Sequence, residues 1–363
     1  MKRFDREKED HLLDKPAITS VGAQFVELAK KMYSDRFYRA IDINLNISWS
    51  KHNEFRAGAF LTPTKDHLIR LSYGTTIEMH RDAMVFALAC EREFPDASYD
   101  PIFKLLGYGN AREEILPSDM NVTDVRIQMV EIMTSWLFLH EQAHLLQRHF
   151  EIASSKGVQD VSEYGLGIDD IPETTSKIEN EEAAIRHCFE LAADYEAVSS
   201  LLTVEIASDI SPSRFWCMSA SLMILLLRFY GEGQRKFDDL PLGTHPHPSI
   251  RMRMMRRRII TLSSQIEKDG RSTWMKDSSK IKAIFDHATT CAELFWQHRY
   301  RDLTENGGVD SVLRFDEIPV SYKNAIFNCW KELRPEILEG HLGWGEGVLM
   351  FLKSPDYVGR QFV

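Results

Sequence analysis

Two histidines and a glutamate stand in the pattern His-Glu-x-x-His near the middle of the chain, inside a segment of strongly helical character. They are His140, Glu141 and His144. An α-helix turns by about 100° per residue, so side chains four positions apart lie on one face and can reach one metal ion. Glu141 projects beside that ion and can accept a proton from water. The pattern therefore predicts a metal site with the geometry of a zinc hydrolase.

The residues around this motif decide between a metal site and an amphipathic helix that carries two surface histidines. We predict a helix from Asp119 to Phe150, with Thr123 or Asp124 as its cap. A helix that is apolar on all sides is buried, and buried polar groups need partners, so the context favours the metal site. The apolar positions are Ile132, Met133, Trp136, Leu137, Leu139, Ala143, Leu145 and Leu146.

Composition limits the class of protein. The chain has 363 residues, of which 44% are hydrophobic, enough for a large core. A net charge of −10 argues against nucleic acid as a partner. The five cysteines are scattered, odd in number and lack Cys-x-x-Cys spacing, as is typical of reduced thiols in a cytoplasmic protein. The charged start of the chain has no apolar signal core after it, which also indicates a cytoplasmic location.

The periodicity of apolar residues predicts an α+β fold that is mainly helical with a small sheet. Alternation from Ile41 to Trp49, and a second stretch from Phe60 to Gly74, are typical of strands. Helical spacing dominates elsewhere, whereas residues 95–120 and 151–177 carry loop-forming residues. We divide the chain into a domain of residues 1–262 and a helical C-terminal extension of residues 263–363.

Two further segments have alternative interpretations. The apolar run from Phe215 to Leu227 is shorter than the ~20 residues of a membrane span, so we expect a core helix and no membrane span. A basic run tempts a nucleic-acid interpretation, but in an acidic chain we expect a solvated helix face with its first arginine turned toward the metal site. That run comprises Arg251, Arg253, Arg256, Arg257 and Arg258.

A third metal ligand has to come from outside the motif, because a catalytic zinc site uses three protein ligands and one open position. His149 is one residue short of the position that metzincins use. Glu190 and Asp194 share a face of a predicted helix from about Ser176 to Thr203. Taken alone, both acids would be expected in solvent, as we expect for Glu179, Glu181, Glu182 and Glu196. Beside His-Glu-x-x-His, we expect Glu190 to bind the metal and Asp194 to orient a ligating histidine.

Together these motifs resemble the gluzincin metallopeptidases, in particular their HtpX-like and CAAX-processing branch. Thr244, His245 and Pro246, with Arg251 six residues after His245, fit a later segment of that branch. The resemblance implies that His245 stabilises an oxyanion, although His247 competes for that role. Residues 53–60 and 69–74 resemble the strand region of the family, where an edge strand binds an extended peptide.

The resemblance covers about residues 40–255 and departs from that branch in two ways: its membrane helices are missing, and about a hundred residues are added at the C-terminus. A soluble group with these features is the phage-exclusion Lit-like peptidases. The resemblance therefore implies a zincin-like metallopeptidase core, Zn²⁺ as cofactor, and an intracellular protein or peptide substrate, with a role in anti-phage defence. A regulatory partner is also expected, because a cytoplasmic protease has to be restrained.

These observations predict a zinc endopeptidase. Zinc would be bound by His140, His144 and Glu190, with Glu141 as general base and His245 as oxyanion donor. The alternative is a non-enzymatic interaction protein that holds a structural zinc ion on an inactive zincin fold. Glu141 disfavours this alternative, since a structural site needs no base.

Overall fold

The computed structural model describes residues 10–11, 13–92, 94, 115–158, 180–230, 241–266, 274–299 and 318–342. Its α-helices are α1 (Lys15–Ala29), α2 (Asp35–Ile41), α3 (Tyr73–Arg92), α4 (Val122–Leu146), α5 (His149–Ser155), α6 (Asn180–Ala207), α7 (Pro212–Tyr230), α8 (Pro248–Ile266), α9 (Ser278–Arg299) and α10 (Val320–Gly340). Its strands are β1 (Leu45–Ser50), β2 (Ala57–Leu61) and β3 (His67–Ser72). A π-helical turn (Lys30–Ser34) joins α1 to α2, and a 3₁₀ turn (Trp274–Lys276) precedes α9. The described chain is mainly helical with a small sheet, as the sequence predicts.

The sheet has the strand order β1-β3-β2, in which β1 runs parallel and β2 antiparallel to β3. The second predicted stretch, from Phe60 to Gly74, therefore contains parts of two strands and the hairpin between them. Its last two residues already belong to α3. Gly74 is required there, because a Cβ atom at this position would lie 2.2 Å from the backbone oxygen of Asn53. This close approach holds the loop before β2 against the start of α3.

Helix α4, which carries the metal motif, begins later and ends earlier than predicted. Its cap is Asn121, and not Thr123 or Asp124. The Asn121 side chain accepts a hydrogen bond from the Asp124 backbone N–H, and the Asp124 carboxylate accepts one from the Asn121 backbone N–H. This reciprocal capping box satisfies two of the N–H groups that a helix start leaves without partners.

The main hydrophobic core surrounds α4, which packs against α3, α6, α7 and the sheet. From Met129 to Leu146 nearly every side chain of α4 is buried, so the predicted burial of the motif helix is confirmed. Helix α7 is a buried core helix, also as predicted from the apolar run at Phe215 to Leu227. In the described part of the chain, no helix is long and apolar enough to cross a membrane.

A second, smaller hydrophobic cluster centres on α6. It joins α5, the first half of α6 and the start of α8 to α10 through residues such as Phe189, Ile250 and Trp330. Helix α9 contributes to the main core and α10 to the second cluster, and both clusters also contain residues from 1–262. The predicted domain boundary at residue 262 stays a prediction. Helix α5 occupies part of the predicted loop 151–177, and residues 159–179 lie outside the described residues, as do residues 95–114.

Acid should destabilise the folded chain because of buried histidines outside the metal site. Burial lowers the pKa of His67 and of His80 to about 4, whereas an unfolded histidine titrates near ~6.5. Between these values the unfolded chain binds more protons, so the free energy of unfolding falls as the pH decreases from about 6.5 to about 4. We expect His67→Gln to weaken this dependence in urea unfolding series.

Glutamine at this position keeps an acceptor for the hydroxyl of Tyr38, which lies 2.8 Å from His67 Nδ1. The substitution therefore removes the titrating group and retains the buried hydrogen bond. A pH dependence in His67→Gln as steep as that of the wild type would contradict the prediction.

Candidate metal centre

Helices α4 and α6 bring two histidines and a glutamate together in the protein interior. His140 Nε2 lies 3.2 Å from His144 Nε2 and 3.5 Å from Glu190 Oε2, and His144 Nε2 lies 3.3 Å from Glu190 Oε1. All three side chains are buried. Each residue offers one ligand atom, and these three atoms all lie within 4.8 Å of one another. The three predicted ligands therefore converge.

The spacing of these atoms fits a single ion. Ligand atoms at ~2.0–2.1 Å from a tetrahedral zinc ion lie about 3.3 Å from each other. The two histidine Nε2 atoms here are 3.2 Å apart, and each lies 3.5 or 3.3 Å from one of the two Glu190 oxygens. Two imidazoles and one carboxylate also make up a donor set that catalytic zinc sites use, with one position left open. The group can therefore hold a metal ion.

A buried arginine balances the carboxylates of this centre. Arg251, from α8, donates two hydrogen bonds of 2.7 Å to the Asp194 carboxylate, and its Nη2 lies 3.1 Å from Glu190 Oε2. Burial alone would raise the pKa of Asp194, but the charge and hydrogen bonds of Arg251 outweigh it and hold the pKa below its ordinary value. Asp194 therefore stays ionised inside the protein, and Arg251 faces the site as predicted.

Asp194, which is predicted to orient a ligating histidine, contacts His140, the first histidine of the motif. Its Oδ1 atom lies 3.1 Å from His140 Nδ1, which leaves Nε2 directed toward the other ligands. Burial disfavours a charged His140 ring, yet Glu190 and Asp194 outweigh burial and raise its pKa to about 10. The pocket therefore favours a positive charge beside this ring. Trp136 stacks on His140 at 5.0 Å between ring centroids and restricts its rotation.

His245 lies at the edge of the metal group. Its Nε2 atom is 3.7 Å from Glu190 Oε2, and 25% of its side chain is exposed. His247 has a different contact: its Nδ1 atom accepts a hydrogen bond from the Ser249 backbone N–H in the first turn of α8. Burial lowers the pKa of His247 to about 4, so it is neutral at physiological pH. The structure thus places His245 beside a predicted ligand and His247 at a helix start.

His187, which the sequence analysis missed, connects residues 242–245, called here the His245 segment, to α10. Its Nε2 atom lies 3.2 Å from the backbone oxygen of Leu242, and its Nδ1 atom lies 2.9 Å from the hydroxyl of Tyr322. Burial lowers the pKa of His187 to about 3, so the ring is neutral. With the hydroxyl donating to Nδ1, the ring donates to the carbonyl and fixes the chain three residues before His245. The i−3 spacing from Glu190 is the one sequence signal that could have indicated this histidine.

A second group, to which the sequence analysis gave no role at the site, lies behind His144. His149 Nδ1 is 2.9 Å from His144 Nδ1, and His149 Nε2 is 3.0 Å from Gln147 Oε1. Burial, followed by the neighbouring His144, lowers the pKa of His149 well below its ordinary value. The Gln147 amide nitrogen lies 2.7 Å from Glu196 Oε2, which also lies 3.0 Å from His341 Nε2. These residues link a predicted ligand to the end of α10.

Two expectations about solvated charges are wrong. Glu196 is buried, and its carboxylate contacts Gln147 and His341. Arg253 and Arg258, expected on a solvated face of α8, are also buried. The guanidinium of Arg258 donates to Ser199 Oγ at 2.8 Å and lies over the ring of Tyr195. Helix α8 packs into the structure on more sides than its polar composition indicates.

Glu141, the predicted general base, lies between the two histidines of the motif in the sequence and is completely buried on α4.

Comparisons with protein-family models, curated proteins and solved structures give no match to this chain. The resemblance to gluzincins therefore rests on the motifs themselves. The structure adds that His140, His144 and Glu190 converge, with Asp194, Arg251 and His245 in contact with them.

Removing the charge of Arg251 should destabilise the metal-free protein strongly. Breaking a buried ion pair leaves an uncompensated charge and costs about 3–5 kcal/mol, so we expect Arg251→Met to lower the free energy of unfolding by that amount. Arg256→Met on the same helix is the control, because Arg256 pairs with Asp286 near the surface and such pairs contribute about 0–1 kcal/mol. Urea unfolding of chelator-treated protein measures both; equal losses would contradict the prediction.

Proposed function

We propose that this protein is a zinc-dependent endopeptidase that hydrolyses peptide bonds of an intracellular protein substrate. The observation that carries the proposal is the separation of 3.2–3.5 Å among His140 Nε2, His144 Nε2 and the Glu190 oxygens, next to a buried Glu141. Two histidines, one carboxylate and an adjacent carboxylate base are the parts that metal-assisted hydrolysis of a peptide needs.

The side chains divide the chemistry between them. A zinc ion held by His140, His144 and Glu190 would polarise the scissile carbonyl and lower the pKa of a bound water toward ~7. Glu141 takes the proton from the attacking water and transfers it to the leaving amine.

His245 supplies a hydrogen bond to the developing oxyanion in this proposal. Its Nδ1 atom lies 2.7 Å from Thr244 Oγ1. When the hydroxyl donates to Nδ1, the ring proton is on Nε2, the atom on the side of Glu190. An N–H donor held in that position stabilises negative charge on the carbonyl oxygen, a contribution that is worth ~3 kcal/mol in other hydrolases.

The small sheet supports a protein or peptide substrate. In the described part of the chain, β2 is an edge strand of the sheet, paired with β3 and packed against α4. An extended peptide can add to such an edge by main-chain hydrogen bonds. The substrate would then cross the site between β2 and the His245 segment.

A structural zinc site is the competing interpretation. Structural zinc usually has four protein ligands and no open position. The group found in the described residues contains three, and the exposed fraction of His245 provides a route for solvent. These features favour a catalytic site over a structural one.

Zinc content tests the metal centre. Purified protein should bind about one zinc ion per chain, because three ligands converge on one position. His144→Ala should lose most of that zinc, whereas His52→Ala, in the exposed loop before β2, should retain it. Elemental analysis after gel filtration measures both variants. Equal zinc content in wild type and His144→Ala would exclude the assignment.

Glu141→Gln tests the division between ligand and base. Glutamine keeps the shape of the side chain but cannot accept the proton, so we expect wild-type zinc content and loss of cleavage. Glu131→Gln, at a half-buried position on the same helix that pairs with Arg214, is the matched control. Proteome-wide identification of new N-termini in cells that express each form measures cleavage. New N-termini that persist with Glu141→Gln would show that the proposed mechanism is wrong.

A further inference from the structure

We propose that His149 is a positioning residue that fixes the tautomer of His144, and that a hydrogen-bonded chain through Gln147 and Glu196 to His341 holds it in place. The proposal rests on the metal centre of the proposed function. It assigns a role to side chains that bind neither metal nor substrate, and it makes the end of α10 part of the metal site.

The backbone between α4 and α5 is shaped to place His149. Helix α4 ends at Leu146, and Arg148 then adopts a left-handed conformation with φ 56°. A non-glycine residue in this region is strained, and such strain tends to occur at functional sites. The reversal starts α5 at His149 and returns its ring to His144, with Nδ1 atoms 2.9 Å apart. The His149 ring also stacks on Phe189 at 4.2 Å.

The direction of the hydrogen bonds from His149 to Glu196 follows from the acceptors around the Gln147 amide nitrogen. The amide nitrogen of Gln147 lies 3.1 Å from the backbone oxygen of Ala192 and 2.7 Å from Glu196 Oε2. A carbonyl and a carboxylate both accept, so the nitrogen faces them and the amide oxygen faces His149. That oxygen, 3.0 Å from His149 Nε2, can only accept. His149 therefore donates from Nε2.

The tautomer of His144 follows in turn. A neutral His149 that carries its proton on Nε2 has a lone pair on Nδ1. This lone pair accepts the Nδ1–H of His144, which leaves the His144 Nε2 lone pair directed at His140 and Glu190. Metal-binding histidines generally donate their second N–H in this way, and the partner fixes ring orientation.

The two histidine ligands thus have different partners. Asp194, a carboxylate, contacts His140 Nδ1 at 3.1 Å, whereas a neutral imidazole contacts His144. A second carboxylate at the position of His149 would add negative charge to this buried pocket. Among the described contacts, the one arginine close to the pocket is Arg251, and it already pairs with Asp194 and Glu190. A neutral acceptor fixes the ring without that cost.

At Glu196, the other end of this row of hydrogen bonds, residues that follow α10 hold the carboxylate in place. His341 Nε2 lies 3.0 Å from Glu196 Oε2, and the backbone N–H of Leu342 donates to the backbone oxygen of Leu146 at 2.8 Å. The second bond satisfies one of the carbonyls that the end of α4 would leave without a partner. The adjacent residues His341 and Leu342 therefore fix Glu196 and the end of α4, respectively.

The test compares zinc affinity of full-length variants from which metal has been removed by a chelator. His149→Phe keeps the ring stacking but removes the acceptor, and we expect it to weaken zinc binding by ~10–100-fold. His149→Asn places a carbonyl oxygen near the position of Nδ1 and should restore most of the affinity. His341→Phe should weaken binding in the same direction by a smaller factor. His67→Phe, a buried histidine of the sheet, is the control and should bind as the wild type does.

The outcomes separate this inference from the proposed function. If the wild type binds no zinc, the metal centre itself is wrong. If the wild type binds zinc and His149→Phe binds it equally tightly, the positioning role is wrong. Weak binding by His149→Phe with recovery in His149→Asn supports the role, since a general packing defect would not be rescued by the smaller polar side chain.

A measurement on the wild type covers the case in which His149→Phe does not fold. Nitrogen-15 NMR of histidine-labelled, zinc-loaded protein distinguishes protonated from bare ring nitrogens. We expect one histidine pair in which the zinc-bound ring carries its proton on Nδ1 and donates to the bare Nδ1 of His149. A proton on Nδ1 of His149 would overturn the proposal.

Discussion

One buried arginine makes the metal centre possible. Arg251 contacts the carboxylates of both Asp194 and Glu190 from a helix that is distant in sequence. Two ionised carboxylates without a cation in the interior would cost far more than a domain of this kind can tolerate. Because both hydrogen bonds of Arg251 go to Asp194, its charge balances that carboxylate, and a metal ion would balance the carboxylate of Glu190. The packing of α8 against α6 therefore stabilises the fold and also places Arg251 beside the two carboxylates.

The supports on the two sides of the centre differ in kind. On the side of His140 they are charged, through Asp194 and Arg251, and on the side of His144 they are neutral, through His149 and Gln147. Helix α10 reaches both the His144 side and the His245 segment, because its two ends contact α6 at different points. Its first turn contributes Tyr322 to His187, and the residues after its last turn contact Glu196 and Leu146. The C-terminal region is thereby coupled to the geometry of the site.

The sequence predicts those parts of the site that depend on local spacing. Residues four apart on a helix share a face, so the pairs His140–His144 and Glu190–Asp194 could be found without knowledge of the tertiary structure. Partners supplied by distant elements could not be found this way. Tyr322 and His341 lie 135 and 145 residues from the side chains they contact, and no periodicity encodes which helices meet.

The same limit explains the errors. Glu196, Arg253 and Arg258 look solvated because charged residues on helices usually are, but the tertiary packing buries all three. The cap of α4 was misplaced by a few residues because Asn121, Thr123 and Asp124 are all good capping residues, and only the backbone conformation selects one. The mainly helical fold and the small sheet follow from periodicity, whereas the order β1-β3-β2 depends on long-range pairing.

The central claim is that His140, His144 and Glu190 bind one zinc ion with a fourth position open. Zinc-edge X-ray absorption of the loaded protein measures the ligands and distances directly. The prediction is a four-coordinate ion with nitrogen and oxygen neighbours at ~2.0–2.2 Å, including two imidazoles, and no sulfur. Sulfur scattering at about 2.3 Å, or a six-coordinate ion surrounded by water alone, would contradict the claim.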